Sequence, residues 1–514
     1  MLSKVNSMTV LGMDCLSIEV ETDVSRGMPK FNIVGLGDTA VQESKQRVFS
    51  AIRNSKYSFP PNRITVNLAP ADIKKSGPSF DLPIAIGILI ASEQINDLIN
   101  ADETIFLGEL ALDGRLRPVS GVLPIASYAE KKGIKTVFVP KENAKEAALV
   151  EGLQVFGAET LKDVINHINK EKIIKQEKVL SEEELFSNEN IKFSVDFASI
   201  VGQEQAKRAL EIAAAGSHNV LMNGSPGSGK TFMAKAFPSI LPRMVRKEAF
   251  EVSKIYSIAG LLPSDTPLLT QRPYRSVHHT ASSVSIVGGG RNPKPGEISL
   301  AHRGVLFMDE IAEFPSGVLE VLRQPLEDRK ITVSRASGTT EFPAHFSLIA
   351  AMNPCPCGYY NVPDSDRECS CSLLQIQKYQ KKLSGPLLDR IDLHIDISPV
   401  KFDKLQNKEK SEASADILVR VQNARDIQTE RFKEFKNITS NSEMGPDEIS
   451  IFCKISEDSK QLLNHAVTQF GLSARSYHRI LKVARSIADL ENSDTIETHN
   501  IAEALQYRSK KSED

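Results

Sequence analysis

Residues 219–237 read NVLMNGSPGSGKTFMAKAF, and this stretch decides the fold. An apolar run, Asn219–Met222, leads into Gly224-Ser-Pro-Gly-Ser-Gly-Lys-Thr231, and a helical pattern follows. The pattern is G-x-x-x-x-G-K-[ST] in its required setting, strand before and helix after. Glycines let such a loop wrap tightly, so that successive backbone N–H groups face one centre. The helix that follows presents its positive end to the same anion. Gly224, Ser225, Pro226, Gly227, Ser228 and Gly229 are read as a phosphate cradle, with Lys230 reaching the β- and γ-phosphates of ATP and the Thr231 hydroxyl ligating Mg²⁺. A glycine-rich turn before an ordinary helix would not account for the full pattern.

The rest of an ATP site is expected downstream. GVLFMDE (304–310) is an apolar strand ending in two carboxylates. Asp309 would hold Mg²⁺ through water, and Glu310 would polarise the attacking water as general base. HFSLIAAMN (345–353) is a further strand, and Asn353 at its end can orient that water; the alternative is a turn-forming asparagine before Pro354. Two arginines follow, Arg390 in SGPLLDRIDLHI and Arg475 in GLSARSYHRIL. A guanidinium on the γ-phosphoryl group is worth about 10³–10⁵ in rate, but a lone arginine is more often a surface ion-pair partner.

Working outward, 514 residues suggest about three domains. A net charge of −2 excludes a uniformly basic nucleic-acid binder but not a basic channel. The apolar run LPIAIGILIA (82–91) is too short to span a bilayer, and the N-terminus lacks the apolar core of a secretory signal, so a cytoplasmic protein is expected. Residues 1–168 mix strand-like stretches such as RITVNLAP with helical spacing in AVQESKQRVFSAIRNS. Residues 169–196 are charged and read as a linker with one helical turn. Residues 197–400 alternate apolar strands with helices, the signature of a parallel α/β sheet. Residues 401–514 read as helices.

These residues resemble the magnesium-chelatase-like AAA+ ATPases, specifically the YifB/ComM group. The resemblance covers nearly the whole chain. It is carried by FASIVGQEQAKRALEIAAAGSHNVLMNGSPGSGKT, AHRGVLFMDEI, AAMNPCPCGYY, SGPLLDRIDLHI and LSARSYHRILKVARSIADL, and in the N-terminal part by FNIVGLGDTAVQESKQRVFSAIRNS. It implies an AAA+ P-loop sheet domain with a C-terminal helical lid, in a ring, usually a hexamer, with ATP between subunits. By the same resemblance Ile200, Val201, Gly202 and Gln203 lie against the adenine. Arg390 is similar to the arginine finger that reaches a neighbour's ATP, and Arg475 resembles the second sensor of the lid. Members of the group are regarded as DNA-acting motors, associated with branch migration during DNA uptake. Extra hairpins are implied to project into the ring pore, and Arg275–Glu297 and Arg329–Phe346 fit. There Arg291, Lys294 and Arg335 are candidates for phosphate contacts with DNA, as single strands or branched junctions; ordinary solvated loop charges are the alternative.

The N-terminal region resembles the Lon-protease-like (ribosomal S5 domain 2-like) α+β fold. KKSGPSFDLP places Ser79 where Lon-type proteases carry their serine, but Leu123, in SGVLPIA, stands where their lysine would fall. A serine of such a dyad needs that amine as base. Three functions therefore compete: a DNA-remodelling ring ATPase, an ATPase subunit for metal insertion into a tetrapyrrole, and an ATP-dependent protease. The Lon-like region favours the first over the second, and Leu123 disfavours the third.

Four of the six cysteines crowd into NPCPCGYYNVPDSDRECSC (353–371) as C-x-C, eleven residues, C-x-C. Cys355, Cys357, Cys369 and Cys371 are the right ligand set for a closed Zn²⁺ site. The spacing within each pair is tighter than structural zinc pairs usually show. Four reduced cysteines near a nucleotide site are the alternative.

Overall fold

The computed structural model describes residues 1–96, 100–186, 193–290, 293–335, 338–362, 367–399, 411–435, 438–470 and 472–508, without the side chains of 335, 338 and 470. Two sheets organise the chain. The first uses β1 Leu2–Leu11, β2 Asp14–Ser25, β3 Lys30–Val34, β4 Arg63–Ala69 and β5 Thr104–Phe106, and, after a short ribbon of β6 Glu109–Leu110 and β7 Leu116–Arg117, β8 Thr136–Pro140 and β9 Gln154–Ala158. Its order is β3-β4-β2-β1-β5-β8-β9, antiparallel around β2 and parallel toward β9. In β4 the buried residues alternate, Ile64, Val66 and Leu68 facing one core, as the period of two requires.

The run DLPIAIGILIA forms the helix Asp81–Ala91, and every residue of it is buried. It lies close on the sheet: a Cβ on Gly87 would sit 2.7 Å from Thr22 Oγ1. The apolar stretch thus serves as a core helix, each Ile or Leu contributing about 1.5–3 kcal/mol by burial.

The second sheet uses β10 Val220–Gly224, β11 Tyr274–Val277, β14 Val305–Met308, β17 Ser347–Met352 and β18 Leu393–Ile397. Two hairpins interrupt it, β12 Gly288–Gly289 with β13 Lys294–Pro295, and β15 Lys330–Arg335 with β16 Gly338–Pro343. The order is β11-β14-β17-β10-β18, all parallel. β14 and β17 are buried along their whole length, the mark of a parallel sheet covered on both faces. All five strands end at the same edge. The chain order reverses at β10, so the loops after β10, β14 and β17 converge on one crevice.

Helices Ser414–Arg431, Pro446–Phe452, Glu457–Phe470, Ala474–Leu490 and Thr498–Gln506 follow. Val421, Ala424, Ile480 and Ile487 share one apolar cluster with Leu210 and Val220 of the sheet layer. The boundary expected at 400/401 lies outside the described residues.

The charged segment 169–196 is anchored along part of its length. Glu177 N–H donates to Val155 O at the edge of the first sheet. Leu180, Leu185 and Phe186, the last two in the helix Glu182–Phe186, join a cluster that also holds Val122, Ile125, Ala249 and Val252. That cluster joins the two halves of the chain. Buried Glu146 ties them further, accepting from Leu123 N–H (2.9 Å) and Ser257 Oγ (2.5 Å).

Candidate active site

The strand ends bring together five residues from three segments that lie far apart in sequence. Gly227 (φ 79°) and Gly229 (φ 91°) take left-handed conformations in the loop, which is why glycine stands there. A Cβ on Gly224 would lie 2.5 Å from Ile397 O. Lys230 Nζ donates to Gly224 O (2.6 Å), Ser225 O (2.8 Å) and Asn353 Oδ1 (3.2 Å). Burial pulls the pKa of Lys230 down, opposed by Asp309 and Glu310. Thr231 Oγ1 donates to Asp309 Oδ2 at 2.8 Å. This hydroxyl–carboxylate pair at the mouth of the loop is a donor set suited to a hard divalent cation. Glu310 follows in the left-handed region (φ 50°), its carboxylate half-exposed and 3.3 Å from His279 Nδ1. Thus Lys230, Thr231, Asp309, Glu310 and Asn353 form one constellation.

His279 was not anticipated. It follows β11, the edge strand beside β14, within RSVHHTASS. By the family resemblance that stretch belongs to a projecting hairpin from Arg275 to Glu297. The structure corrects this: Arg275 belongs to β11 in the main sheet and forms an ion pair with Glu297 at 2.6 Å. The only hairpin among the described residues there is β12–β13. In it Gly288 and Gly296 meet backbone to backbone, where a Cβ on Gly296 would lie 2.2 Å from Gly288 N.

Ile200 is buried in the sheet-and-helix cluster, and Val201 is half-buried. Gly202 and Gln203 both have positive φ, 64° and 61°. Gln203 Nε2 donates to Ser398 O (2.5 Å), and Ser411 Oγ donates to Ile200 O (2.5 Å). The segment thus bridges the sheet and the start of the C-terminal helices.

Arg390 and Arg475 are brought together, at the opposite edge. Both guanidinium groups pair with Glu327, Arg475 at 2.7 Å. Arg390 O accepts from Asn219 Nδ2 (3.0 Å), the residue directly before β10. Lys230 stands beyond the other end of β10, a strand of roughly 16 Å at 3.3 Å per residue. Neither arginine is therefore part of its own chain's phosphate constellation. Both sit beside a charged cleft of about 570 Å³ that includes Glu443, Arg479 and Lys482.

The same edge holds two histidines, His302 buried and His345 half-buried, each with its pKa lowered by burial. His302 Nδ1 accepts from His345 N–H (3.1 Å), leaving Nε2–H toward Glu251 at 3.4 Å. Burial pulls His302 down to about 4, against the Glu251 hydrogen bond. This contact is a hydrogen bond from a neutral ring, and not an ion pair. His345 likewise accepts from Arg303 at Nδ1 and faces Glu443 at 2.9 Å through Nε2.

Of the candidate DNA contacts, Lys294 is exposed on β13. Arg335 pairs with Gly338 at the hairpin tip by backbone register, and its side chain lies outside the described residues, as does Arg291. The β15–β16 hairpin touches the first sheet's β1–β2 turn, since a Cβ on Gly12 would lie 2.2 Å from Thr340 Cγ2. Among the described residues, no hydrogen bond links the Ser79 hydroxyl to a lysine. Leu123 is buried in the apolar junction, and the buried Lys75 amine donates to Pro70 O. The four cysteines of the 353–371 stretch form one cluster, all within 4.8 Å of one another.

Comparison with known proteins agrees along the chain. The family model described as "Magnesium chelatase, subunit ChlI" matches residues 196–405. Those described as "Subunit ChlI of Mg-chelatase" and "Magnesium chelatase, subunit ChlI C-terminal" match 20–143 and 411–508. The first region therefore also matches under a chelatase name, so it does not separate a chelatase-type subunit from the other members. Competence protein ComM of Haemophilus influenzae is 43% identical over 99% of this chain and 97% of its own length. Uncharacterized protein YifB of Escherichia coli is 40% identical with the same coverage. Lon protease of Brevibacillus choshinensis is 30% identical over 31% of this chain and 21% of its own. An AAA+ P-loop sheet with helices behind it, a partial Lon likeness and full-length relatives agree, and the chain belongs to the magnesium-chelatase-like family in its YifB/ComM branch.

Proposed function

We propose that this chain is a ring-forming ATPase, hexameric by likeness to its family, that converts ATP hydrolysis into work on DNA in the cytoplasm. The observation that supports it most is the constellation of Lys230, Thr231, Asp309, Glu310 and Asn353 at three neighbouring strand ends. Lys230 and the loop amides bind the phosphates, and Glu310 takes the proton of the attacking water while Asn353 orients it. Thr231 and Asp309 would hold Mg²⁺, which supplies charge neutralisation on the β- and γ-oxygens. Arg390, with Arg475 beside it, serves a neighbour's γ-phosphate. The four cysteines hold a structural zinc ion. The working units are 1–168, 197–400 and 401–514, with 169–196 between the first two.

DNA as the object of the work is supported by the printed name of the competence relative and by hairpins carrying Lys294 and Arg335. A second reading, an ATPase subunit for metal insertion into a tetrapyrrole, draws on the chelatase names of the family models. An ATP-dependent protease is disfavoured by Leu123 and by the engaged Lys75. ATPase rates with no DNA, single strands, duplexes and four-way junctions separate the first two readings. Stimulation by DNA is expected, and a rate indifferent to every form of DNA would refute the motor. Casein degradation with a Ser79→Ala control tests the protease.

A further inference from the structure

The cysteine cluster lies against the phosphate loop. Asn353, whose Oδ1 accepts from Lys230, stands two residues before buried Cys355. Cys355 Sγ lies 3.3 Å from Cys357 Sγ and 3.7 Å from Cys369 Sγ, and the last two are 3.5 Å apart. Cys371 Sγ lies within 4.8 Å of all three, and none of the cysteines forms a disulfide. Four thiolates at about 2.3 Å from zinc in a tetrahedron stand about 3.8 Å apart along each edge. The sulfurs already lie near that spacing, far from the ~2.05 Å of a disulfide. The single residue between Cys355 and Cys357 is accommodated by a tight turn, in which Gly358 N–H points at both Cys355 O (3.0 Å) and Cys355 Sγ (3.2 Å).

Gly358 also makes the contact that matters for the nucleotide. Its φ is +88°, and a Cβ there would lie 2.4 Å from Pro226 Cδ. Pro226 is the third residue of the phosphate loop. The turn closed by Cys355 and Cys357 therefore packs on the loop at Pro226, while Asn353 accepts from Lys230 at the loop's end. Few apolar residues in 358–368 are available to hold that turn in place, and a metal can take over the role of a core.

We propose that Cys355, Cys357, Cys369 and Cys371 bind one zinc ion whose knuckle braces the phosphate loop through Gly358 and Asn353, so that zinc loading sets nucleotide affinity. This rests on reading 224–231 as the nucleotide site. The test combines metal analysis of the full chain purified without added zinc with titration of a fluorescent ADP. The protein is measured as purified, after chelation, and after zinc is returned, with circular dichroism to follow folding. About one zinc per chain is expected, with nucleotide affinity falling roughly tenfold or more on chelation and recovering with zinc. Gly358→Ala should keep its zinc and its fold yet bind nucleotide more weakly; Lys230→Ala should keep its zinc and bind none. Metal-free protein with full affinity would overturn the site. Zinc present, but affinity unchanged both by chelation and by Gly358→Ala, would overturn the brace. Lys230→Ala binding like the parent would instead overturn the nucleotide reading beneath it.

Discussion

At the edge where β10, β14 and β17 end, the sheet offers loop amides, one buried lysine and two carboxylates, of which Glu310 is exposed. At the edge where the same strands begin, it offers Arg390 and Arg475 on Glu327, backed by buried ion pairs such as Arg272–Glu248 at 2.7 Å. On the function proposed above, the first edge binds and hydrolyses ATP, and the second carries the cations that such a reaction uses. One strand length separates them, and a parallel sheet is too stiff to fold one edge onto the other. In the proposed ring, the second edge of one subunit would meet the first edge of the next, and the two sets of groups would complement each other at every interface.

The largest effects should come from the first edge. Lys230→Ala is expected to abolish nucleotide binding, because it removes the charge clamp. Glu310→Gln is expected to bind like the parent and lose about 10²–10⁴ in turnover, as removal of a general base does. Parent-rate hydrolysis by Glu310→Gln would remove Glu310 from the mechanism.

The second edge comes next. Arg390→Ala should lower turnover by about 10³ without weakening nucleotide binding to its own subunit. Mixing Arg390→Ala chains with Lys230→Ala chains should restore part of the activity, since some interfaces would then pair an intact loop with an intact arginine. No recovery in rings shown to be mixed would break the division of labour between the edges.

What the sequence made legible follows the same division. The loop, the carboxylates after β14 and Asn353 after β17 are local signals, each written within a few residues of a strand end. The sharing of Glu327 by Arg390 and Arg475 joins three segments, and no local pattern announces it. His279 is hard to see in the sequence because most of the short strand before it, Tyr274–Val277, falls inside the hairpin that the family resemblance projects from Arg275. The Gly358–Pro226 contact was invisible for another reason: it depends on a turn whose shape only the folded chain displays.

Acid should strike the second edge. His302 and His394 are both pulled down to about 4, chiefly by burial, and His345 is lowered by the same cause. A histidine whose folded pKa lies below its ordinary 6.5 is held neutral by the fold. Its contribution is complete above 6.5 and is lost as pH falls from 6.5 toward 4. Glu251 adds to this lower down: burial opposes it, but His302 and Arg303 hold it at about 2, so its contribution fades as pH falls below its ordinary 4.5. The melting temperature is expected to drop by several degrees between pH 6.5 and 4.5, with a shallower slope in His302→Gln. A flat profile over that range would mean the histidines are not held neutral.

The smallest effect concerns the hairpin that grows from the second edge. Arg329, directly before β15, lies 3.5 Å from Glu443, and His345, shortly after β16, lies 2.9 Å from the same carboxylate. Both ends of the hairpin are thus fixed to the arginine edge, and Arg335 stands at the end of β15 farthest from them. Lys294 is exposed on β13 of the other hairpin. Phosphate contacts read charge and not bases, so Lys294→Gln and Arg335→Gln should each weaken binding to single strands, duplexes and junctions by similar factors. Each should also reduce the slope of log affinity against log salt by about 1, with basal ATPase unchanged. A loss confined to one sequence would point to base contacts, and an unchanged slope would move the DNA surface away from both hairpins. A loss of basal hydrolysis would show that the hairpin base at Glu443 feeds back on the arginines, and the two edges would then be coupled through the chain as well as across the ring.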